Sequence, residues 1–316
     1  MQFWEGHSTM LNKRYMLLDN ESIKETRRVM KDRNPILFTL CLFFVMNLMP
    51  AVIAFVLGLI IYPLVKVLKL GYVPKIAYGS DSFMIFDLLS TFFISLAIYF
   101  FVKKYQNRNA KSLGLVDDKK LISYTKGILI GGAMLTASFL LVFLFGGFRI
   151  RVNIRNISPF LYLLFVIGWI FQGFEEELIT RSVLMNYFAA VKDVKTGLIA
   201  NSLLFAILHV GNTSFNAIAF VNLLLMGLVF SMIFYINDSI YTSAACHSVW
   251  NFLQGNFFGI NVSGIIDSQN TIFKSEPVGS FLISGGAFGI EASLIVTLVE
   301  LFVLVILFRK LNKPCH

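Results

Sequence analysis

Long apolar runs alternate with short polar segments along most of this chain. A helix crosses a bilayer with about 20 mostly apolar residues, and eight runs come close to or exceed that length. They comprise residues 36–62, 83–101, 127–147, 159–189, 196–211, 216–236, 241–260 and 282–308. We therefore predict an all-α membrane protein, a polytopic bundle of about eight transmembrane helices.

The polar stretches outside these runs define the domain organisation. We predict a cytoplasmic N-terminal arm (1–35), a transmembrane helical domain (36–308) and a short cytoplasmic tail (309–316). Within the arm, residues 20–33 are suited to a short helix at the membrane surface. In the third run, Gly127 and Gly131 are four residues apart, a spacing that lets two membrane helices pack closely.

Composition and charge agree with a membrane protein. The chain has 316 residues, of which 57% are hydrophobic and only 14% charged, whereas soluble domains have about 25% charged residues. Cytoplasmic loops of membrane proteins retain Lys and Arg, and with a cytoplasmic N-terminus most of these residues fall in loops on that side. We therefore expect both termini in the cytoplasm. The net charge of +9 therefore reflects topology and does not indicate nucleic acid as a partner. The expected partner is the lipid bilayer.

The fourth run contains charges that a membrane interior does not readily accept. Glu175, Glu176 and Glu177 are consecutive, and Arg181 follows one turn after Glu177. Glu177 and Arg181 share a helix face and form a favourable ion pair, whereas Glu176 lies about 100° around the helix and is free to act as a general base. The alternative is that this helix ends near residue 173 and the acidic run lies in water.

Two histidines lie in apolar runs. His209 follows Phe205 by four residues, and His247 precedes Asn251 by four, so each pair shares a helix face. A single histidine in such a place is usually a hydrogen-bonded core residue, but two of them beside buried carboxylates indicate a site. Counting residues from the predicted turns at about 1.5 Å each places this site near the cytoplasmic leaflet.

These motifs together resemble the CPBP family, which comprises CAAX prenyl endopeptidases and bacteriocin-processing membrane proteases also called Abi proteins. The family pattern EExxxR, FxxxH and HxxxN reads here as Glu176-Glu177-Leu-Ile-Thr-Arg181, Phe205-Ala-Ile-Leu-His209 and His247-Ser-Val-Trp-Asn251. Gly285–Glu291 also looks like the family's C-terminal region. The protease-like core would span about 159–300. Ser182 stands where the family commonly has Gly, and Glu175 falls out of register because position 180 is Thr.

The resemblance implies an intramembrane glutamic endopeptidase of a bacterial plasma membrane. By analogy, Glu176 is the general base that activates water, His209 helps to position it, and His247 and Asn251 stabilise the oxyanion. A set of supporting residues comprises Glu177, Arg181 and Phe205. No cofactor or metal is required, and the implied substrates are peptide precursors or peptide segments at the membrane, including bacteriocin precursors and prenylated C-termini.

Three alternatives accompany this interpretation. One is a zinc protease in which Glu176, His209 and His247 bind the metal, although no H-E-x-x-H helix occurs. A second is a non-catalytic membrane partner that confers bacteriocin immunity or regulates a sensor. The third is a proton-coupled carrier that uses Asp87, Glu291 and Glu300, which the lack of an internal repeat disfavours.

Overall fold

The structure, a computed structural model, describes residues 17–30, 80–265 and 268–311, together with Val52 and Val56. Almost all of the first predicted span, 36–62, lies outside the described residues, as does most of the predicted tail.

Helices form most of the described chain. Their bounds are α1 Glu21–Met30, α2 Asp81–Gln106, α3 Lys120–Leu144, α4 Pro159–Glu177, α5 Asn186–Val191, α6 Val194–Leu208, α7 Ala217–Asn237, α8 Ile240–Phe252, α9 Phe281–Ser284 and α10 Leu294–Leu311. Short 3-10 turns occupy Lys111–Leu113, Ile154–Asn156, Gly286–Phe288 and Ile290–Ala292. Helices α2, α3 and α7 are long and apolar enough to cross a membrane. The helical class is therefore confirmed, while the number of about eight spans stays a prediction.

A small β-sheet departs from the predicted all-α class. Strand β1, Phe148–Val152, pairs antiparallel with β2, Phe273–Pro277, with Arg149 opposite Glu276. The segment Phe-Arg-Ile-Arg-Val alternates apolar and polar residues, which is the period of a strand. The pattern was therefore visible in the sequence, but its partner lies more than a hundred residues away.

The eighth predicted span, 282–308, is interrupted. Helix α9 stops at Ser284, and α10 begins only at Leu294. Gly285 and Gly289 have φ angles of +80° and +110°, which side chains other than glycine rarely adopt. A Cβ at Gly289 would also lie 2.0 Å from the Asn261 carbonyl oxygen. Glu291, which we expected inside the eighth helix, therefore lies in the turn before α10.

The fourth predicted span, 159–189, is continuous but changes its winding. Helix α4 passes into a π-helical segment, Leu178–Met185, and then into α5. The Arg108 guanidinium, which is 1% exposed, donates to the carbonyls of Ser182 (2.6 Å) and Val183 (3.1 Å) in this segment. A π-helical turn often marks a functional site, and here it begins directly after the three glutamates.

The core of the bundle depends on close helix contacts. Helix α8 packs against α3 and α4, while α2 packs on α4 and α6 on α7. A Cβ at Gly127 would lie 2.2 Å from the Thr242 carbonyl, and one at Gly131 would lie 2.3 Å from that of Cys246. The predicted close packing at Gly127 and Gly131 is therefore confirmed, and its partner is α8. A second π-helical turn, Leu253–Phe257, extends α8.

Loops predicted on one side of the membrane meet at one end of the bundle. Asp238 accepts hydrogen bonds from the Glu21 and Ser22 backbone N–H groups of α1, and Asp117 accepts one from Ser239 (2.7 Å). At the other end, Asp81 accepts from Ser268 and Asn270 (2.6 Å each) near the strand pair. This grouping agrees with the predicted topology, and the cytoplasmic location of the α1 end stays a prediction.

Candidate active site

The acidic run lies inside a continuous helix. Glu175 and Glu177 are 8% and 0% exposed, so the alternative in which the helix ends near residue 173 is wrong. Glu177 Oε1 accepts a hydrogen bond from Arg181 Nη1 (2.7 Å), as the spacing predicted. The same oxygen lies 3.0 Å from His247 Nδ1. One carboxylate oxygen therefore joins the ion pair on α4 to the histidine on α8.

The contact between Glu177 and His247 depends on how closely α4 approaches α8. Gly173 lies one turn before Glu177, and a Cβ there would be 2.3 Å from Ser248 Oγ and 2.7 Å from the Ser248 backbone nitrogen. Only a residue without a side chain allows this approach. Gly173 thus sets the distance between the two helices that carry the glutamates and His247.

Aromatic rings enclose the buried charges. The Arg181 guanidinium carbon lies 4.7 Å from the ring centre of Phe205 and 5.4 Å from that of Phe230. The Phe230 ring also stacks on His247, with ring centres 4.9 Å apart. Cation–π contacts of this kind strengthen when they are shielded from water. Phe205 was predicted to support the site, whereas Phe230 belongs to none of the motifs and was not predicted.

Glu176 faces a different environment from that of Glu177. It is only half-buried, and its Oε2 lies 3.8 Å from His247 Nε2. Its other oxygen accepts a hydrogen bond from the Gln172 side-chain amide. Two carboxylates that are adjacent in sequence therefore contact opposite sides of one imidazole: Glu177 is on the Nδ1 side and Glu176 on the Nε2 side.

Gln172 is a site residue that the sequence reasoning missed. Its Oε1 accepts a hydrogen bond from Asn251 Nδ2 (2.9 Å), while its Nε2 donates to Glu176. It thereby links the predicted base on α4 to the predicted oxyanion donor on α8. Gln172 and Glu176 are four residues apart on one helix face, so the spacing could have revealed half of this link.

His209 differs from its predicted setting within an apolar helix. Helix α6 ends at Leu208, and the His209 backbone N–H donates to the Ala206 carbonyl in the last turn. Its Nδ1 lies 2.8 Å from the Phe205 carbonyl. A carbonyl oxygen only accepts, so Nδ1 carries the proton and Nε2 of the neutral ring is an acceptor.

One cavity of about 350 Å³ brings the predicted residues together. Glu176, Phe205, His209, His247 and Asn251 all line it. Glu177 and Arg181 lie behind this surface, fully buried. Phe205, which was predicted as a supporting residue, also reaches the cavity, and the roles of these residues stay predictions.

The cavity extends away from the end of the bundle that holds α1. Asn212, Ser263 and Ile265 line it, and these residues belong to loops on the same side as the strand pair. The leaflet in which Glu176 and His247 lie stays a prediction. Lys192 and Asp193 separate α5 from α6, so the predicted helical hairpin has a two-residue turn.

Comparison with known families agrees with this site. Residues 158–253 match the family described as type II CAAX prenyl endopeptidase Rce1-like. The matched region, about a third of the chain, runs from the start of α4 to the end of α8 and contains all three motifs. No curated protein and no solved structure matches the chain.

The family match confirms the predicted resemblance to CAAX prenyl endopeptidases. Because that family consists of proteases, the match supports a peptidase. Together with the apolar helices α2, α3 and α7, it indicates an integral membrane protein.

Proposed function

We propose that the protein is an intramembrane endopeptidase that uses Glu176 as the general base. The observation that carries the proposal is the 3.8 Å separation of Glu176 Oε2 and His247 Nε2 at the wall of the cavity. Two polar atoms at this distance can both contact one water oxygen. A positioned base of this kind typically accelerates a reaction by about 10²–10⁴-fold.

In the proposed reaction, Glu176 accepts a proton from water as the water oxygen attacks the peptide carbonyl carbon. The carbonyl oxygen becomes an oxyanion. The tetrahedral intermediate then breaks its C–N bond, and Glu176 returns the proton to the departing nitrogen. The products are a carboxylate and an amine, so the water is consumed and Glu176 is regenerated.

Asn251 and His247 are suited to stabilise the oxyanion. Asn251 Nδ2 has two N–H bonds, and Gln172 accepts one of them, so the second is available to the substrate. His247 donates from Nδ1 to Glu177, and in its protonated form the ring can also donate from Nε2. Donors aimed at a developing oxyanion are worth about 10²–10³-fold each.

His209 is proposed to position the water. Its Nδ1–H is held by the Phe205 carbonyl, which leaves Nε2 as an acceptor in the cavity. Glu177 and Arg181 serve the reaction indirectly, because their ion pair fixes the orientation of His247. A ring held in this way keeps its catalytic nitrogen in place.

The Cys and Ser side chains that flank His247 in the sequence do not offer a competing nucleophile. Cys246 is fully buried and Ser248 packs under Gly173, and neither is among the described residues that line the cavity. This arrangement supports water as the attacking group.

We also propose that the reaction needs no metal. Among the described residues, no three His, Cys, Asp or Glu side chains are grouped closely enough to hold one ion. The zinc alternative required Glu176, His209 and His247 in one such group. Full activity of the purified protein after strict chelation would support the metal-free mechanism, whereas loss of activity and its recovery with added Zn²⁺ would contradict it.

The test compares neighbouring glutamates. Cells that lack the protein and cells that carry Glu176→Gln should accumulate the same unprocessed peptide, which identifies a substrate. The purified Glu176→Gln variant should then cleave that peptide at least 100-fold more slowly than wild type, and His209→Ala should also be slow. Glu175→Gln is the matched variant and should lose far less activity, because Glu175 has no contact with His247.

Each protein must first be shown to be folded and inserted, by its elution from a sizing column in detergent. A folded Glu176→Gln variant that cleaves at the wild-type rate would overturn the assignment of the base. If the variant cells also behave like wild type, the protein acts as a non-catalytic partner instead.

A further inference from the structure

The walls of the cavity carry more acidic than basic side chains. Five carboxyl groups line it, namely Asp87, Glu175, Glu176, Glu291 and Glu300. None of the described lining residues is a Lys or Arg, and the two histidines His209 and His247 are the only basic side chains among them. A membrane-embedded cavity with this lining is expected to attract cations.

Three hydrogen bonds hold Glu291 at the wall of the cavity. Its Oε2 accepts from the Ser263 backbone N–H (2.6 Å) and from Gln254 Nε2 (2.9 Å), and its Oε1 accepts from Ser263 Oγ (3.1 Å). Asn212 links this wall to His209, because its backbone N–H donates to the His209 carbonyl and its side chain donates to the Ser263 carbonyl (2.9 Å). The carboxyl group is therefore fixed beside a residue that we assign to the reaction.

Glu300 lacks this kind of support. The residue lies in α10, is 1% exposed, and lines the cavity. Its Oε2 has no hydrogen-bond partner among the described residues. Asn222, which also lines the cavity, donates to the carbonyls of Glu291 and Ser293 and accepts from Thr297. Both of its N–H bonds are therefore taken, and neither is left for Glu300.

An unpaired carboxylate in a dry interior costs free energy, and the cost falls when a cation pairs with it. Glu291 and Glu300 line the same cavity, so a single positive group bound there could pair with both carboxylates and supply the contact that Glu300 Oε2 lacks among the described residues. Leu223 and Met226 line the same cavity and offer an apolar surface for the stem of a long cationic side chain.

Building on the endopeptidase function proposed above, we propose that Glu291 and Glu300 form a subsite for the cationic side chain of a substrate Lys or Arg. The subsite lies beside His209, so the residue that it binds lies close to the bond that is cleaved. It would select peptides with a basic residue at one position relative to that bond.

The test uses pairs of internally quenched peptides, built on the peptide found in the cell comparison, that carry Lys or norleucine at one position. Norleucine keeps most of the Lys stem and removes the charge. At one position near the cleaved bond, we expect the wild type to prefer Lys by at least tenfold in kcat/KM. In Glu300→Gln this ratio should fall below threefold, mainly through slower cleavage of the Lys peptide.

Two comparisons make the result specific. Glu276→Gln removes the same charge from an exposed strand residue paired with Arg151, and it should keep the wild-type ratio. The norleucine peptide separates the effect of the charge from that of the stem, and each variant is checked for folding by its elution from a sizing column in detergent. Glu291→Gln should lower the ratio as well.

The outcomes separate this subsite from the proposed function. If the wild type shows no preference for Lys at any position, or if Glu300→Gln keeps the preference, the subsite is wrong while the endopeptidase remains. If Glu300→Gln slows both peptides equally, the residue serves the reaction or the fold and not specificity. If the wild type and Glu176→Gln cleave neither peptide, it is the endopeptidase function that fails.

Discussion

Two groups of carboxylates in this bundle differ in their partners: the paired group is Glu177, and the cavity group comprises Glu176 and Glu300. Glu177 lies behind the cavity and contacts both Arg181 and His247. Glu176 and Glu300 line the cavity, and the Oε2 of Glu300 has no hydrogen-bond partner in the described part of the chain. Glu177 is paired with a cation of the protein itself through Oε1, although its Oε2 also has no hydrogen-bond partner among the described residues. The cavity group has capacity left for a ligand or a reacting molecule.

This difference separates structure from function within one short run of sequence. A paired buried charge orients its neighbours and is costly to break. A membrane-embedded carboxyl group that faces a cavity and has no Lys or Arg partner indicates a functional role. Variants of the two groups should therefore fail in different ways, the first through folding and the second through activity.

The largest effect is expected from breaking the paired group. Arg181→Met leaves Glu177 buried without its cation and should lower the free energy of unfolding by about 3–5 kcal/mol. Unfolding measured in detergent by circular dichroism would show it. Glu176→Gln should change the stability by less than about 1 kcal/mol, because Glu176 is not part of that pair.

The comparison between the paired group and the cavity group would fail if Glu176→Gln lost more stability than Arg181→Met. A stable Arg181→Met protein would mean that the pair is not structural. The double variant Glu177→Gln with Arg181→Met should recover part of the lost stability, because no unpaired charge then remains buried.

A smaller loss is expected from separating the helices that hold the paired group. Gly173→Ala places a Cβ against the backbone of Ser248, and overpacking of this kind typically costs about 1–3 kcal/mol. The change should also slow cleavage, because it moves Glu177 away from His247. Thermal unfolding and kcat would be measured together.

Gly132→Ala is the matched control. A Cβ at Gly132 meets only the end of the Leu253 side chain, at 3.8 Å, and alanine favours a helix over glycine by about 1 kcal/mol. This variant should be at least as stable as wild type. Equal losses for Gly132→Ala and Gly173→Ala would refute the close contact at Ser248.

The cavity group can be tested through Gln172. Gln172→Leu removes the link between Glu176 and Asn251, and the loss of one such orienting contact corresponds to about 1.4 kcal/mol, or tenfold in kcat. Stability should change little, since Gln172 is only half-buried. An unchanged kcat for Gln172→Leu would show that Gln172 does not serve the reaction. Gln172→Glu should not restore both contacts, because a carboxylate accepts from Asn251 but does not donate to Glu176.

The smallest effect is expected at Asp193, an exposed carboxylate that forms no ion pair among the described residues and does not line the cavity. Asp193 accepts a hydrogen bond from the Thr196 backbone N–H (2.8 Å) at the start of α6, and this bond lowers the pKa of Asp193 below its usual value. Asp193→Ala should cost about 1 kcal/mol at neutral pH. Activity should not change.

The pH dependence of that difference follows from the direction of the shift. The folded-state pKa of Asp193 is lowered, so its stabilisation is complete above the usual Asp value of about 3.9 and is lost as the pH falls through the lowered value. The stability difference between wild type and Asp193→Ala should therefore shrink between about pH 5 and pH 2. A constant difference would show that the charge of Asp193 does not matter.

Much of the site could be predicted because its motifs obey helix spacing. The contact of Glu177 with Arg181 joins residues four apart, and the approach of His209 to Phe205 does too. The contacts between helices could not be predicted in this way. His247 meets Glu177 across 70 residues, and only the packing at Gly173 brings them together.

The C-terminal half of the fold shows the same limit. Apolar composition predicted a helix over 282–308, and α10 confirms its second part. The first part is irregular, since Gly285 and Gly289 hold conformations that a hydropathy pattern does not register. This irregularity is what brings Glu291 against Ser263, so the residue was predicted in the wrong element and its contacts were missed.

The position of α1 has a consequence for how the chain assembles during synthesis. Thr26 contacts the Ser112 carbonyl, Asn186 donates to Ser22, and the start of α1 is capped by Asp238. These partners are translated 86 to 217 residues later. Helix α1, the first described helix to be synthesised, can therefore dock only after most of the chain has been made. Its docking requires the residues up to Asp238 to be in place.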